Sequence, residues 1–307
     1  MKGDYTRDTF RPERQYTQVR QQQGRVQLDA DWNEAFDIVT SRGRATNADV
    51  ICPCGAPKDD AGFGISVAGG NLRIGAGRYY AHGILCENPA SIAFTEQSHF
   101  PGAELPEEGR RFLAYLDVWE RHITALEDPA IREIALGGPD TATRLQLIAQ
   151  VKLAPVPDDA ACDEFGADWL PTGVGARGEL AARTQPAPQA EQPCLIPPGA
   201  GYRRLENQLY RVEIHTPGGL GTATFKWSRE NGSVVTAWTG QDGDVLTIAD
   251  GGRDDNLGFH TGDWVELIDD GRELRGEPGI LVQLLDVQGL ELTLDPATIA
   301  DPDDPTA

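Results

Sequence analysis

The chain has 307 residues, 39% of them hydrophobic, and carries a formal net charge of −21 at pH 7. This acidity argues against nucleic acids and anionic membranes as partners, because both attract basic protein surfaces. No apolar run approaches the roughly 20 residues that a membrane-spanning helix needs, so we expect no membrane insertion. The 35 glycines and 21 prolines predict many turns and hence a mainly β fold.

Residues 1–50 are predicted to form an N-terminal arm followed by a short helix. The first 25 residues are polar, with isolated aromatic side chains, and hold too little apolar surface for a core of their own. They therefore favour an extended arm that lies on a neighbouring protein. Since no hydrophobic leader follows the first methionine, we expect the protein to be made in the cytoplasm without a signal peptide.

The helix is predicted to begin at Asp31 and to end at Gly43. Asp31 and Glu34 have the spacing of a capping box, and Arg42 before Gly43 is typical of a last helical turn. The helix is short, so its stability depends on packing against something else.

One apolar stripe runs along this predicted helix. Trp32, Phe36 and Val39 fall at positions i, i+4 and i+7, which places them on one face. Two interpretations stay open: the stripe packs on the core of its own domain, or it contacts another subunit or a partner protein.

Residues 51–155 are predicted to form a first β domain. Short apolar stretches separated by glycine or Asn-Pro are typical of strands, and residues 77–84 predict a tight hairpin. Two longer strand-like stretches, 112–123 and 145–153, flank a polar excursion at residues 124–144. Connections of this length in compact domains are usually functional, so we interpret the excursion as an assembly surface.

A second β domain is predicted at residues 201–297, after an irregular Pro/Ala/Gly-rich linker at 156–200. Asn231-Gly232 is the strongest hairpin signal in the chain. Residues 298–307 resemble a linker, which leads us to expect that the natural chain continues past Ala307. The fold class is therefore mainly β, with two small antiparallel domains of the sandwich or barrel kind, an N-terminal arm, a short helix and a connecting segment.

The sequence offers little support for catalysis. The five histidines are scattered without metal-ligand spacing, and no GxSxG string is present. Residues 173–178 match GxGxxG but follow no strand, as a nucleotide-binding fingerprint would require. Paired acidic residues near 242, 254 and 269 are typical of turns more than of calcium sites. We therefore predict no catalytic residue and no cofactor.

The cysteines leave two alternatives open. Free thiols are expected in a protein made in the cytoplasm. A disulfide between Cys162 and Cys194 would close a loop of about thirty residues. A mixed zinc site that combines these two with Cys52 and Cys54 is the other alternative.

Three long strings, at residues 1–35, 115–153 and 199–235, resemble a bacterial domain family of unknown function. Its members look like parts of phage-tail-like contractile injection systems and related tail operons. The resemblance implies a structural part at the baseplate or on an attached fibre, in a particle that is released or acts at the cell surface. It further implies other tail or baseplate proteins as partners and a homo-oligomer, with a trimer favoured. It carries no catalytic residues.

We therefore predict a non-enzymatic adaptor that acts by protein–protein binding. The residues expected to make assembly contacts come from the arm, the helix stripe and the excursion: Phe10, Trp32, Phe36, Asp128, Arg132, Asp140 and Arg144. The alternative function is a carbohydrate- or surface-binding module, in which Trp119, Trp227, Trp238 and Trp264 stack on sugars. A tail-associated glycan hydrolase with paired carboxylates is a third alternative.

Overall fold

The computed structural model confirms a mainly β chain, and the strands among the described residues pair antiparallel. Most of the predicted linker and the C-terminal tail fall outside the described residues, so the division into two domains stays a prediction. The structure describes residues 2–106, 109–161, 164–166, 169–171, 178–181, 209–254 and 256–300.

The N-terminal helix, α1, spans Asp29–Ile51 and has 23 residues. The predicted short helix was wrong at both ends. Leu28 is the N-cap residue and provides no side-chain cap, and Gly43 lies inside the helix. A glycine in a helix interior costs only about 1 kcal/mol relative to alanine, which tertiary contacts of the helix are able to offset.

The predicted capping box is absent because Asp31 lies inside the helix, and the arm instead bonds to carboxylates in its first turns. Thr6 donates from its backbone N and its Oγ1 to Asp29, at 2.9 and 2.7 Å. Thr9 Oγ1 donates to Glu34 Oε2 at 2.6 Å. Burial raises the pKa of Asp29, but the Thr6 hydrogen bonds outweigh it, so the net direction is downward.

Two small sheets follow the helix, with strand orders β1-β4-β5 and β2-β3-β6. The predicted hairpin at residues 77–84 is confirmed, and His82 and Gly83 form its turn with φ of 47° and 80°. The strands are β1 (Cys54–Gly55), β2 (Ile65–Ala68), β3 (Asn71–Ile74), β4 (Gly77–Ala81), β5 (Ile84–Asn88) and β6 (Ile92–Ala93).

The two longest strands are β7 (Phe112–Ile123) and β8 (Arg144–Pro155), which pair along all of their residues. The excursion therefore joins the two strands of one long hairpin. β8 also contributes to the core of this region, where Val151 packs with Ile74, Phe94 and Ala103.

A two-stranded ribbon, β9 (Arg211–Ile214) and β10 (Phe225–Ser228), comes next. The five-stranded sheet after it has the order β11-β12-β15-β14-β13, and a short helix, α2, follows β13. Six buried Leu, Ile and Val side chains from β12, β14 and β15 form its core. The elements are β11 (Trp238–Asp242), β12 (Val245–Ile248), β13 (Trp264–Leu267), α2 (Asp270–Arg275), β14 (Ile280–Gln288) and β15 (Glu291–Leu294).

The hairpin predicted at Asn231-Gly232 was wrong. Both residues have positive φ, 54° and 67°, as the pattern requires. However, β10 pairs with β9, whereas β11 pairs with β12. The arm holds this turn instead, because Gly3 N donates to Asn231 O and Asn231 Nδ2 donates to Gly3 O, both at 3.1 Å.

Polar contacts join the long hairpin to α2. The buried Arg121 of β7 donates from Nε to Glu273 at 2.7 Å and from Nη2 to Asp270 at 2.6 Å. Gln150 of β8 is fully buried and donates to the carbonyl oxygen of Leu274 at 2.7 Å. These contacts set the position of the hairpin relative to the five-stranded sheet.

Candidate assembly surface

The first residues of the arm are anchored on their own chain. Tyr5 Oη lies 2.7 Å from Thr143 Oγ1 and 3.3 Å from His122 Nε2, where the excursion leaves the long hairpin. With the Gly3–Asn231 hydrogen bonds, this anchor joins residues 2–9 to both β regions. Residues 2–9 therefore contact their own chain, and the expectation that the arm lies on a neighbouring protein stays a prediction.

Burial governs the protonation of the anchor histidine. It lowers the pKa of the half-buried His122, while the nearby carboxylate of Glu127 opposes the shift. The imidazole is therefore neutral at pH 7 and pairs with the Tyr5 hydroxyl without bringing a charge into the anchor.

The rest of the arm leaves the body of the protein. Residues 11–18 and 20–29 are exposed, and residues 16–26 bond to no described residue outside this segment. The stretch 11–25 contains four arginines against one glutamate, in a chain whose net charge is −21. It forms a basic, extended strip on an otherwise acidic protein.

Two polar side chains of helix α1 contact the body of the protein, while its aromatic stripe is exposed. Arg44 forms an ion pair with Glu120, and Asn47 Nδ2 donates to Gly83 O at 3.0 Å. The apolar stripe of the same helix stays in solvent, with Phe36 64% and Val39 67% exposed. The interpretation that the stripe packs on its own domain was wrong.

Two aromatic side chains of the exposed stripe stack on each other. The rings of Trp32 and Phe36 stack with centroids 6.4 Å apart and planes 22° apart. Only Ala30 and Ile38 of the helix are buried. The outer face therefore presents a pre-formed aromatic surface to solvent.

The charged residues predicted to make contacts from the excursion mainly form hydrogen bonds within it. Asp128 accepts from Ala130 N at 3.0 Å and caps a 3₁₀ turn, while Arg132 donates to Gly138 O at 3.2 Å. Arg144 begins β8 and donates to Thr143 O at 3.0 Å. Asp140 is exposed.

Sequence reasoning missed the apolar tip of the excursion. Ile134 is 87% exposed, and Leu136 projects from the same 3₁₀ turn, which Glu133 caps. The available signal was a pair of aliphatic residues inside a polar run. Phe10, also predicted to make contacts, is half-buried where the free part of the arm begins.

The four tryptophans proposed as a sugar platform lie on four different strands. Trp119 is half-buried on β7, and Trp227 is exposed on β10. Trp238 and Trp264 are exposed on the two opposite edges of the five-stranded sheet. The structure therefore does not bring these side chains together into one row.

The cysteine hypotheses remain predictions. Cys52 and Cys54 are exposed free thiols, whereas Cys162 and Cys194 lie outside the described residues. Burial raises the pKa of the Cys86 thiol to about 11. Among the described residues, no group of three or more His, Cys, Asp or Glu side chains is arranged to hold a metal ion.

Two acidic clusters have local structural roles. Asp254 accepts from the backbone N of Asn256 and Leu257, and Asp269 caps α2 through Arg272 N. Except for its last glycine, the GxGxxG string lies outside the described residues. Within the described ranges, no helix has the length and apolar character needed to cross a membrane.

Comparison with known protein families yields a match. The sequence model of a family described as a family of unknown function (DUF6519) matches residues 1–168 and 161–297. Its description names neither an activity nor a particle. No curated protein and no solved structure matches the chain.

Proposed function

The chain belongs to the family of unknown function DUF6519, and from this premise we propose that it is a non-enzymatic structural component of a phage-tail-like contractile injection particle. It acts as an adaptor at the baseplate or on a fibre, by binding other proteins of the particle. The strings at residues 1–35, 115–153 and 199–235, which resemble proteins of tail operons, support the choice of particle. The exposed surfaces support the choice of mechanism.

The observation that carries the proposal is the orientation of α1. A surface helix ordinarily faces its apolar stripe to the core and its polar side to water. Here Trp32, Phe36 and Val39 face outward, while Arg44 and Asn47 contact the body. Burial of apolar surface is worth about 25 cal/mol per Å², so the stripe gains free energy only when a partner covers it. An amphipathic helix that lies in a partner's groove is a recurrent recognition mode.

The anchored arm adds pre-organisation and charge. Residues 2–9 hold the start of α1 in place before any partner arrives, and such rigidity reduces the entropic cost of binding. The exposed arginines at 11–25 favour a partner with an acidic surface. We further propose that copies of the chain associate, with a trimer as the expected symmetry, after synthesis in the cytoplasm.

Incorporation into particles tests this proposal. Phe36→Gln combined with Val39→Gln removes much of the outer stripe and leaves the inward contacts unchanged. We expect this double variant to be soluble and folded but absent from particles sedimented from cells that produce them, whereas the wild-type chain is present. The amount of chain per particle is measured by mass spectrometry.

The matched control is Val67→Gln, which alters another exposed valine, on β2. We expect it to enter particles as the wild-type chain does. Normal incorporation of the double variant would show that the α1 stripe is not the docking surface. Failure of the wild-type chain to sediment with any tail-like particle would remove the proposed function.

A further inference from the structure

The ribbon β9–β10 has the reverse of the usual orientation. Its exposed residues alternate with half-buried ones along both strands, and the exposed ones are apolar. Phe225 pairs with Ile214, and Trp227 pairs with Val212, so these four side chains share one face. Tyr210 extends it by stacking on Trp227, with ring centroids 6.2 Å apart and planes 22° apart. We call these five residues the outer ribbon face.

The charged side of the ribbon faces the protein. Lys226 forms an ion pair with Glu266 of β13, and its Nζ lies 4.0 Å from Glu213. The buried His215, next to β9, has its Nε2 2.9 Å from Gly279 O. These partners hold the polar side inward, so the apolar side is left in solvent.

The outer ribbon face has the size of an interface. Phe225 and Trp227 are 60% and 62% exposed, and aromatic side chains carry roughly 150–250 Å² each. With the other three residues, the exposed apolar area is on the order of 500 Å², which is near the largest patch of a typical monomer. A standard interface buries about 800 Å² per partner, roughly 60% of it apolar, which is again about 500 Å².

The ribbon itself is incomplete as a sheet. Within the described part of the chain, β9 and β10 pair only with each other. A two-stranded sheet is marginally stable unless a further layer or strand packs on it. Gly178 lies against Ile214, since a Cβ atom at position 178 would be 2.6 Å from Ile214 Cδ1. The outer ribbon face therefore ends at Gly178 on this side.

We propose that a second copy of this chain covers the outer ribbon face. Charge favours this occupant. Two copies with a net charge of −21 repel each other, but residues 209–230 carry Arg211, Lys226 and Arg229 against Glu213 and Glu230. The ribbon is therefore a nearly neutral place at which like chains approach without a large electrostatic penalty. A basic partner, in contrast, is drawn to the acidic surface elsewhere.

Self-association of the full-length chain tests the inference. Sedimentation equilibrium across low to high micromolar concentration should show a reversible oligomer for the wild-type chain. Phe225→Thr combined with Trp227→Thr keeps strand propensity and should weaken association roughly tenfold or more, equivalent to about 1.4 kcal/mol or more. The matched control is Trp238→Thr with Trp264→Thr, which alters two exposed tryptophans elsewhere and should leave association unchanged.

A second test uses the wild-type chain alone and needs no substitution. Hydroxyl-radical oxidation of Phe225 and Trp227 should decrease as the chain is concentrated, while oxidation of Trp264 stays constant. A wild-type chain that is monomeric at every concentration, or oxidation of Trp227 that does not change, would overturn the proposal. So would protection of Trp227 in the monomer by an added polysaccharide, since that result assigns the face to a glycan.

This inference names the surface for the self-association proposed above, and it does not rest on the assignment to a particle. A chain that self-associates through the ribbon but enters no particle would keep this inference and remove the proposed function. A chain that enters particles as a monomer would remove this inference and the proposed self-association but keep the assignment to a particle.

Discussion

Lys226 and Glu266 hold the polar side of the ribbon on the five-stranded sheet, and both side chains are about four-fifths buried. Burial raises the pKa of Glu266, but Lys226 and the backbone N of Gly279 outweigh it, so the net direction is downward. A carboxylate with a lowered folded-state pKa contributes stability above its unfolded-state pKa. That contribution is lost as the pH falls through the folded-state value.

We therefore predict that Lys226→Met lowers the free energy of unfolding by about 2 kcal/mol at pH 7, because it leaves Glu266 buried without its cation. The loss should shrink as the pH falls below the ordinary glutamate pKa of 4.5, since protonation removes the unpaired charge. Urea unfolding at a series of pH values measures both effects.

The control for this prediction is Arg253→Met, which breaks the exposed ion pair with Asp4. Exposed pairs contribute between 0 and about 1 kcal/mol, so the control should change little. Equal losses for the two variants would mean that the ribbon is not held by the buried pair.

At the scale of elements, α1 depends on one close approach of backbone to backbone. Gly83 in the β4–β5 turn has a φ of 80°, and a Cβ atom there would lie 2.1 Å from Arg44 O in the helix. Asn47 also donates to the Gly83 carbonyl oxygen at 3.0 Å. The turn and the helix are therefore positioned by a glycine that has no room for a side chain.

Gly83→Ala is expected to displace α1 and to destabilise the chain more than strain at positive φ alone accounts for. The left-handed conformation costs about 1–2 kcal/mol, and the contact with the helix backbone should add about 1–3 kcal/mol. Gly69→Ala is the matched control, because Gly69 has a φ of 60° and no atom near its Cβ position. Thermal unfolding and hydrogen exchange of α1 are the measurements, and equal destabilisation by both variants would contradict this account.

Several elements could be predicted from local pattern. The β4–β5 hairpin and the two long strands beside the excursion follow from turn residues and strand-like alternation, whereas the pairing of these two strands does not. The helix bounds could not, because Thr6 and Thr9 stabilise its first turns through contacts more than twenty positions away in sequence. The candidate site was predicted only in part. Charged residues were predicted to make the contacts of the excursion, whereas the apolar Ile134 and Leu136 form its exposed tip.

For the molecule as a whole, the first nine residues connect parts that are distant in the chain. Gly3 bonds to Asn231, Tyr5 contacts Thr143 and His122, and Thr6 bonds to Asp29. Each net hydrogen bond contributes about 1 kcal/mol. These contacts join the start of α1, the base of the excursion and the turn after β10 to one short segment of the arm.

Deleting residues 1–9 is therefore expected to lower the free energy of unfolding by roughly 2–4 kcal/mol, from a few lost hydrogen bonds of about 1 kcal/mol each. Changing Arg14, Arg20 and Arg25 together to Gln should leave stability unchanged, because these exposed side chains form no hydrogen bond or ion pair with the described part of the chain. Urea unfolding of both variants measures these two effects on stability. A truncated chain as stable as the wild type would show that the anchor contributes little.

The order of residues was sufficient to specify the mainly β class, the two long strands and the sharing of one face by Val212 and Ile214, because these follow from local turn chemistry and from the two-residue repeat of a strand. It did not specify which face of the ribbon or of α1 turns outward. Alternation determines which side chains lie together, but the inward side is chosen by distant partners, such as Glu266, forty positions from Lys226. The tertiary contacts with those partners therefore decide that both apolar faces are exposed.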